Sequence, residues 1–405
     1  MAKVRKRTWT AANGETRTAW AVDFTDSNGA RQRKQFRSKR AADDFRVEIE
    51  GKLRAGTFRP DADRVTVKEV AEAYVDYAEG RSRRNERFTQ HHLRVVKGRI
   101  WNYICPDEKR RAEVAKRNAK LTPFSKGIGA IKMSHLTARV VGDFRDRLRE
   151  AGVSVVLTRK VLTTLHAMLD YAVGQDIVAV NAAHGVKVIG RRDEGTKKIV
   201  PPSKEFLKAL IDAADPDFRL KIVVAASTGL RAGEMHALRW KHIDFDSGTL
   251  TVDTRVDRYG VEDVPKSKSG IRAIPVSATV LKHLREWKAR SKFSKGSDLV
   301  FPNSKGTYEW HSNLLQGKFL PLLEKMRERH SEDPQSHPAV PDHMNWHGFR
   351  HFAISTWIES GLTPKTVQTF AGHSSLAMTM DLYGHLFKSE DHGRAMDSIA
   401  KGLFT

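Results

Sequence analysis

Two apolar stripes at helical spacing set the first limits on the fold. Val67, Val70, Ala71, Tyr74, Val75 and Ala78 recur at intervals of one, three and four, and Val161, Leu162, Leu165, Met168, Leu169 and Ala172 do the same across 158–173. Residues so spaced line one face of a helix, and that face must be covered by another element. Both stripes are therefore read as core, and the middle of the chain as a helical bundle. The passage between them is basic: Arg81, Arg83, Arg84, Arg87, Arg94, Lys97 and Arg99 surround the adjacent His91 and His92. Adjacent residues diverge on a helix, so these histidines read as surface or phosphate-contacting groups and not as a metal pair. Residues 106–127 are charged and poor in apolar side chains, which suggests a loop or an exposed helical insertion.

Ahead of the bundle, 20–24 alternates apolar and other residues, Ser27-Asn28-Gly29 supplies a turn, and 31–36 reads as a second strand. A helix follows over 39–53, with Ala41, Ala42, Phe45, Ile49 and Leu53 at helical spacing and Gly56 as its stop signal. This small unit is dense in positive charge, and Arg5, Lys6, Arg7, Arg33 and Lys34 are its candidate phosphate contacts. Phe58 to Val65, with Pro60, reads as a linker. A second stretch without a period, 181–203, holds three glycines, Pro201 and Pro202, and carries Arg191 and Arg192; it reads as an interdomain linker crossing DNA. The chain as a whole has 71 Lys and Arg against 48 Asp and Glu, a net charge of +23, and nucleic acid is the obvious counterion. No apolar run approaches the roughly 20 residues that span a bilayer, and MAKVRKRTW lacks the apolar core of a signal peptide. The single cysteine, Cys105, leaves no internal disulfide and no Cys-rich metal site, which fits a reducing cytoplasm.

Chemistry concentrates in the last half. A helix bearing Phe206, Leu207, Leu210 and Ile211 and a more apolar one through 222–226 lead to TGLRAGEMHALRW, where Arg231 opens a helical turn and Glu234 is placed to brace it. Strand-like 249–252 and 271–276 flank a polar segment ending in PKSKSGIRAIPV, read as a β-hairpin whose connection carries Lys266 and Lys268. A flexible lysine there reaches a minor groove or protonates a leaving oxygen. Helices are then expected over 314–326 and 347–358, after Thr363-Pro364, and around Tyr383. Within WHGFRHFAISTW, His347 and Arg350 stand one turn apart, so both can face one oxyanion. His373 follows in FAGHSS and Tyr383 in TMDLYGHL. A phenol beyond such cationic donors suits attack on phosphorus. His343, His347 and His351 also recur at i, i+4 and i+8, a spacing that binds zinc on a helix. No acidic residue stands between them, Asp342 or Glu359 would have to be recruited, and no metal site is assigned.

Taken together, TGLRAGEMHALRW, PKSKSGIRAIPV, WHGFRHFAISTW, FAGHSS and MDLYGHL resemble, in order, the catalytic domain of tyrosine recombinases, most of all phage-type integrases. The resemblance covers about 203–390, and five separated motifs make it specific. It implies an α+β, mostly helical multidomain protein. Residues 1–60 would form an arm-type DNA-binding domain of strands and a helix, 65–185 a helical core-binding domain and 186–202 a linker. The catalytic domain, 203–388, would be mainly helical with a small antiparallel sheet, and the tail, 389–405, would pack on its own domain or a neighbouring subunit. The family's catalytic set falls on Arg231, Lys266, His347, Arg350, His373 and the nucleophile Tyr383, with Lys268 the alternative to Lys266 and otherwise a DNA contact alongside Arg83, Arg84, Arg191 and Arg192. Gly348-Phe349 fills the usual polar-Leu pair, Ala371 stands for a frequent Leu, and ten residues separate His373 from Tyr383. The implied chemistry is a covalent 3′-phosphotyrosine that needs no cofactor. The implied partners are double-stranded DNA at attachment sites, a homotetramer and DNA-bending accessory proteins, with no membrane, in a nucleoid-associated cytoplasmic setting. Two rivals share parts of this pattern. A DNA-binding regulator would use GLTPKTVQTFAGHSS as helix, turn, helix; a relaxing topoisomerase would use the same nucleophile without an arm domain.

Overall fold

The computed structural model describes residues 2–387 except 13, 27–28, 85, 87, 110–111, 113–115, 117–123, 191–193, 195–198 and 266. The chain divides into two compact units, Met1–Gly195 and Thr196–Thr405. Among the described residues no helix is long and apolar enough to cross a membrane.

The first unit opens with an antiparallel sheet of β1 (Lys3–Thr10), β2 (Thr16–Thr25) and β3 (Arg31–Phe36), in that order. Hydropathy gave no sign of β1, because its residues are polar toward solvent and only Val4 and Ala2 beside it join the core. Helix α1 (Lys39–Arg54), capped by Ser38, covers one face through Ala42 and Ile49 against Val22 and Phe24. On the other face Arg5, Arg7, Arg33 and Gln35 are exposed, and the small central residues are buried between them. The central strand offers Ala19 and Ala21, and the register sets Arg7 beside Ala19, Arg5 and Gln35 beside Ala21, and Lys3 and Arg33 beside Asp23. Small residues in the middle with long cations at the edges make a flat, basic surface.

The helical part of this unit packs α2 (Val67–Arg83), α3 (Gln90–Arg99), α4 (Ala138–Glu150) and α5 (Val155–Gly174). Thr66 and Glu69 form a reciprocal capping box that starts α2. Both apolar stripes are buried, joined by Phe144, Leu148 and Ile104. Cys105 is buried with them, and burial pushes its thiol up to about 12.

The second unit places α6 (Lys204–Ala213), α7 (Pro216–Thr228) and α8 (Ala232–His236) ahead of a sheet ordered β4 (Ile243–Asp244), β5 (Thr249–Val252), β8 (Arg272–Pro275). The two expected strands do pair, with Leu250 opposite Ile274. Their connection is more than a simple hairpin: β6 (Arg255–Val256) and β7 (Glu262–Asp263) form a ladder of their own within it. Helix α9 (Ala278–Arg290) follows, then α10 (His311–Leu314), a wide turn over Leu315–Phe319, and α11 (Leu320–Glu332). The single helix expected over 314–326 is thus longer and locally unwound just before Pro321, which has no N–H to give the preceding turn. Helices α12 (Gly348–Glu359), α13 (Pro364–Ala371) and α14 (Leu376–Tyr383) complete the described part. Trp240, Phe206, Phe319, Trp346 and Phe349 fill the main core, and Trp346 meets Phe319 and Phe349 edge-on. The α+β, mainly helical architecture agrees with the sequence reading. The tail, 389–405, lies outside the described residues.

Candidate active site

Helices α7 and α13 end alike, each on a glycine in the left-handed conformation: Gly229 at φ 61° and Gly372 at φ 62°. Such ends leave carbonyls without intrahelical partners, and here they face arginines. Arg350 Nη1 donates to Gly229 O at 2.8 Å and Nη2 to Ala371 O at 2.5 Å. Arg231 Nη2 donates to Gly372 O at 3.0 Å. The partial negative charge of a helix C-terminus suits a cation, so two cap turns hold both guanidiniums without neutralising them. Arg350 is almost fully buried. Burial, and next the charge of Arg231, pulls it down to about 9, which leaves it cationic at neutral pH.

A single carboxylate ties Arg231 to the sheet. Arg231 stands at the N-terminus of α8, where Glu234 Oε2 accepts its backbone N–H at 2.9 Å and Oε1 accepts Nη1 at 2.9 Å. From β8, the buried Arg272 donates Nη1 to Oε1 at 3.2 Å and Nη2 to Oε2 at 2.8 Å, while Nε reaches Phe370 O at 2.7 Å. Burial works to raise the Glu234 carboxyl, but the Arg272 bonds and the charges of Arg272 and Arg231 outweigh it and hold it at about 2. Arg272 escaped the sequence reading, although a signal was present: it shares the inward face of β8 with Ile274, and a cation at such a position needs a buried partner.

Tyr383 ends α14 and packs under Ile354, Ile358, Val367 and Ala371, with 1% of its surface exposed. Its hydroxyl lies 2.6 Å from His351 Nδ1. The His373 ring runs nearly parallel to the phenol at 6.3 Å between centroids, and its Nδ1 pairs with Thr379 Oγ1 at 2.9 Å. His347 stands at the start of α12 with one side open, its ring perpendicular to that of His351 at 4.8 Å. Burial lowers all three imidazoles, His347 and His373 to about 4, with Arg350 adding to the effect on each. Burial also raises the Tyr383 phenol to about 12, against the pull of Arg350. The free site therefore holds neutral histidines, a neutral phenol and fixed arginine charge.

Arg231, His347, Arg350, His373 and Tyr383 are thus gathered in one place. Lys266 lies outside the described residues, and Lys268 is exposed at the start of a tight turn, Lys268–Gly270. His351 entered the sequence reading only as a zinc candidate. His343 sits before α12 at φ 61°, so the three histidines share no helix face. Among the described residues no group of three His, Cys, Asp or Glu is arranged to hold a metal.

In the first unit, Arg5, Arg7 and Arg33 lie on the open face of the sheet, Arg33 beside Asp23 at 2.5 Å. Lys6 and Lys34 alternate to the α1 side, opposite Trp20 and Val22; Lys34 sits over the Phe45 ring and 3.2 Å from Asp63. Arg83 and Arg84 are exposed at the end of α2, Arg84 paired with Glu86, and Arg191 and Arg192 lie outside the described residues.

A tyrosine held among histidines, beside two arginines anchored on helix ends, is an arrangement chemically suited to phosphoryl transfer. Residues 203–390 match the phage integrase family. The chain is 30% identical to the ICEBs1 integrase of Bacillus subtilis (strain 168) over 264 residues, 63% of this chain and 68% of that one. It is 25% identical over 390 residues to a XerC-like tyrosine recombinase of Caldanaerobacter subterraneus subsp. tengcongensis, covering 90% and 91% of the two chains. The fold is similar to that of the Tn1549 transposon integrase (residues 82–397), solved with circular intermediate DNA, at a TM-score of 0.59 and 21% identity over 83% of this chain and all of that one. The chain belongs to the phage integrase family. It is a site-specific tyrosine recombinase, an enzyme that cleaves and rejoins DNA.

Proposed function

We propose that Tyr383 is the nucleophile of an integrase that moves a phage or other mobile element. The observation that carries this reading is the phenol itself, buried within hydrogen-bond reach of an imidazole and backed by the Arg350 guanidinium. Tyr383 Oη attacks the scissile phosphorus, a 3′-phosphotyrosine forms, and the 5′ oxygen leaves. Arg231 and Arg350 each have donors left beyond those given to cap carbonyls, since a guanidinium carries five. Those donors take the nonbridging oxygens, where charge grows in the transition state. His347 and His373 donate to the same phosphoryl group, and Lys266, with Lys268 as the alternative, protonates the leaving oxygen. The phosphotyrosine retains the energy of the broken linkage, so rejoining to a new 5′ end requires no ATP or metal.

Residues 1–60 would bind arm-type DNA through the basic face of the sheet, 65–185 would grip the core site with Arg83 and Arg84 among its contacts, and 186–202, with Arg191 and Arg192, would follow the DNA backbone between the core-binding and catalytic domains. A homotetramer on two core sites, resolving a Holliday junction and assisted by DNA-bending proteins, completes the reading, with the tail at 389–405 joining neighbouring subunits. Such an enzyme works where the chromosome is, in the nucleoid-bearing cytoplasm. The test is a nicked suicide duplex carrying the core site of the element that encodes the chain. A covalent protein–DNA adduct is expected from the wild type and none from Tyr383→Phe. An adduct from the Phe variant would reject Tyr383 as nucleophile.

A further inference from the structure

A phenol whose proton leaves only near pH 12 is a poor nucleophile at neutral pH, so attack by Tyr383 needs an acceptor for that proton. Two of the three histidines in the site are badly placed. His373 has its Nδ1 on Thr379, and its ring lies parallel to the phenol, 6.3 Å away. His347 stands at the open mouth of the site, and its ring meets His351, not Tyr383. Arg350 has no lone pair to offer. His351 is in contact: Nδ1 lies 2.6 Å from Oη. The phenol is protonated and can donate this bond to Nδ1 in the tautomer that keeps the ring proton on Nε2.

We propose that His351, one turn beyond the His347-x-x-Arg350 motif, is a further catalytic residue: it accepts the Tyr383 proton during cleavage and returns it during rejoining. This rests on Tyr383 being the nucleophile. As Oη–P forms and P–O5′ breaks, the proton moves from Oη to Nδ1 and the imidazole becomes imidazolium; the 5′ oxygen takes its own proton from the lysine side. In the reverse step the incoming 5′ hydroxyl attacks phosphorus and gives its proton back to the lysine, Oη departs, and the imidazolium returns its proton to the phenolate. Burial, and next the charge of Arg350, holds His351 below the usual histidine range in the free enzyme, so the imidazole is available as a base. The groups that face it are His347 on the same helix and Tyr383 on α14, with the Arg350 charge acting on it as well. Once DNA is bound, the phosphate at Arg231 and Arg350 offsets their charge and favours the imidazolium that forms.

The experiment is single-turnover cleavage of the suicide duplex by full-length protein, with His351→Gln compared to wild type, each carrying tyrosine or 3-fluorotyrosine at position 383. Loss of the base should slow cleavage on the order of 100-fold, with duplex affinity retained. Fluorotyrosine ionises more readily and so should recover most of the lost rate in His351→Gln, and should recover little in His373→Gln. The rate for His351→Gln should climb with pH well beyond the point at which wild type levels off. A His351→Gln rate within threefold of wild type would overturn the proposal, as would a loss that neither fluorotyrosine nor high pH repairs, since that pattern marks a packing role. Absence of any Tyr383-dependent adduct from wild type would instead remove the nucleophile assignment beneath it.

Discussion

Arg231 and Arg272 share one carboxylate, with Glu234 Oε1 2.9 Å from Nη1 of the first and Oε2 2.8 Å from Nη2 of the second. The two arginines differ in what else they meet. Arg272 is spent on Glu234 and on backbone carbonyls, with 1% of its side chain exposed, whereas Arg231 keeps 39% of its own toward solvent, where a phosphate can arrive. Arg272→Met should therefore destabilise the protein by about 3 kcal/mol, because it takes from a buried carboxylate the more buried of its two cations and leaves Arg231 alone to hold it. Arg272→Lys should recover only part of this, since an ammonium cannot span both oxygens. Urea unfolding reads the difference, and an unchanged midpoint for Arg272→Met would contradict the role given to this pair.

Gly372 carries a second prediction. It is left-handed, its carbonyl holds Arg231, and a Cβ there would lie 2.9 Å from Arg272 Nη1 and 3.0 Å from Ser269 O. Gly361 is left-handed too, at φ 82°, but has open space around it. Gly361→Ala should cost only the backbone strain, about 1 kcal/mol. Gly372→Ala should cost more and also slow cleavage at least tenfold, because the clash is with the group that positions Glu234. Equal behaviour of the two variants in unfolding and cleavage assays would refute the argument.

Much of the fold was legible because burial writes a period into the chain. The stripes of α2 and α5 and the helix start after Thr363-Pro364 are local signals, and the structure uses them as read. Strand β1 left no such trace, since one of its faces is open and basic and its inward residues are few. The site divides in the same way. Arg231, His347, Arg350, His373 and Tyr383 stand in motifs whose spacing is visible in one dimension. Arg272 and His351 matter through partners 38 and 32 residues away, and such contacts exist only after the helices pack. The spacing of His351 from His347 was seen and weighed for zinc without a metal being assigned, but no other role could be read, because the phenol that meets His351 belongs to another helix.

Stability should depend on pH in a definite direction. His236 is held at about 3 and His373 at about 4, both by burial first, against an ordinary value of 6.5. A histidine lowered in the folded state contributes stability that is fully present above pH 6.5 and is lost as pH falls through the folded values, because the unfolded chain takes up protons the folded one refuses. The unfolding temperature should accordingly drop between pH 7 and pH 4. His236→Gln removes one of these titrations and should make the decline shallower. A melting temperature independent of pH over this window would show that these imidazoles are not held neutral.

The open sheet face and the α1 side of the same strands should differ in their response to salt. Arg5 and Arg7 alternate onto the open face beside Ala21 and Ala19, free to meet phosphates, whereas Lys34 packs over Phe45 and pairs with Asp63. Each phosphate contact removed lowers the slope of log affinity against log salt by about 0.9. Arg5→Ala with Arg7→Ala should thus reduce the slope by about 2 for a plain duplex, measured by fluorescence anisotropy across a salt series. Lys34→Ala should leave the slope as it is. Arg33 should fall between them, since its guanidinium must first leave Asp23, 2.5 Å away, before it can reach DNA. If Lys34→Ala changed the slope as much as the Arg5 and Arg7 substitutions together, DNA would have to reach the α1 side as well, and the alternation of this sheet would not decide which cations bind.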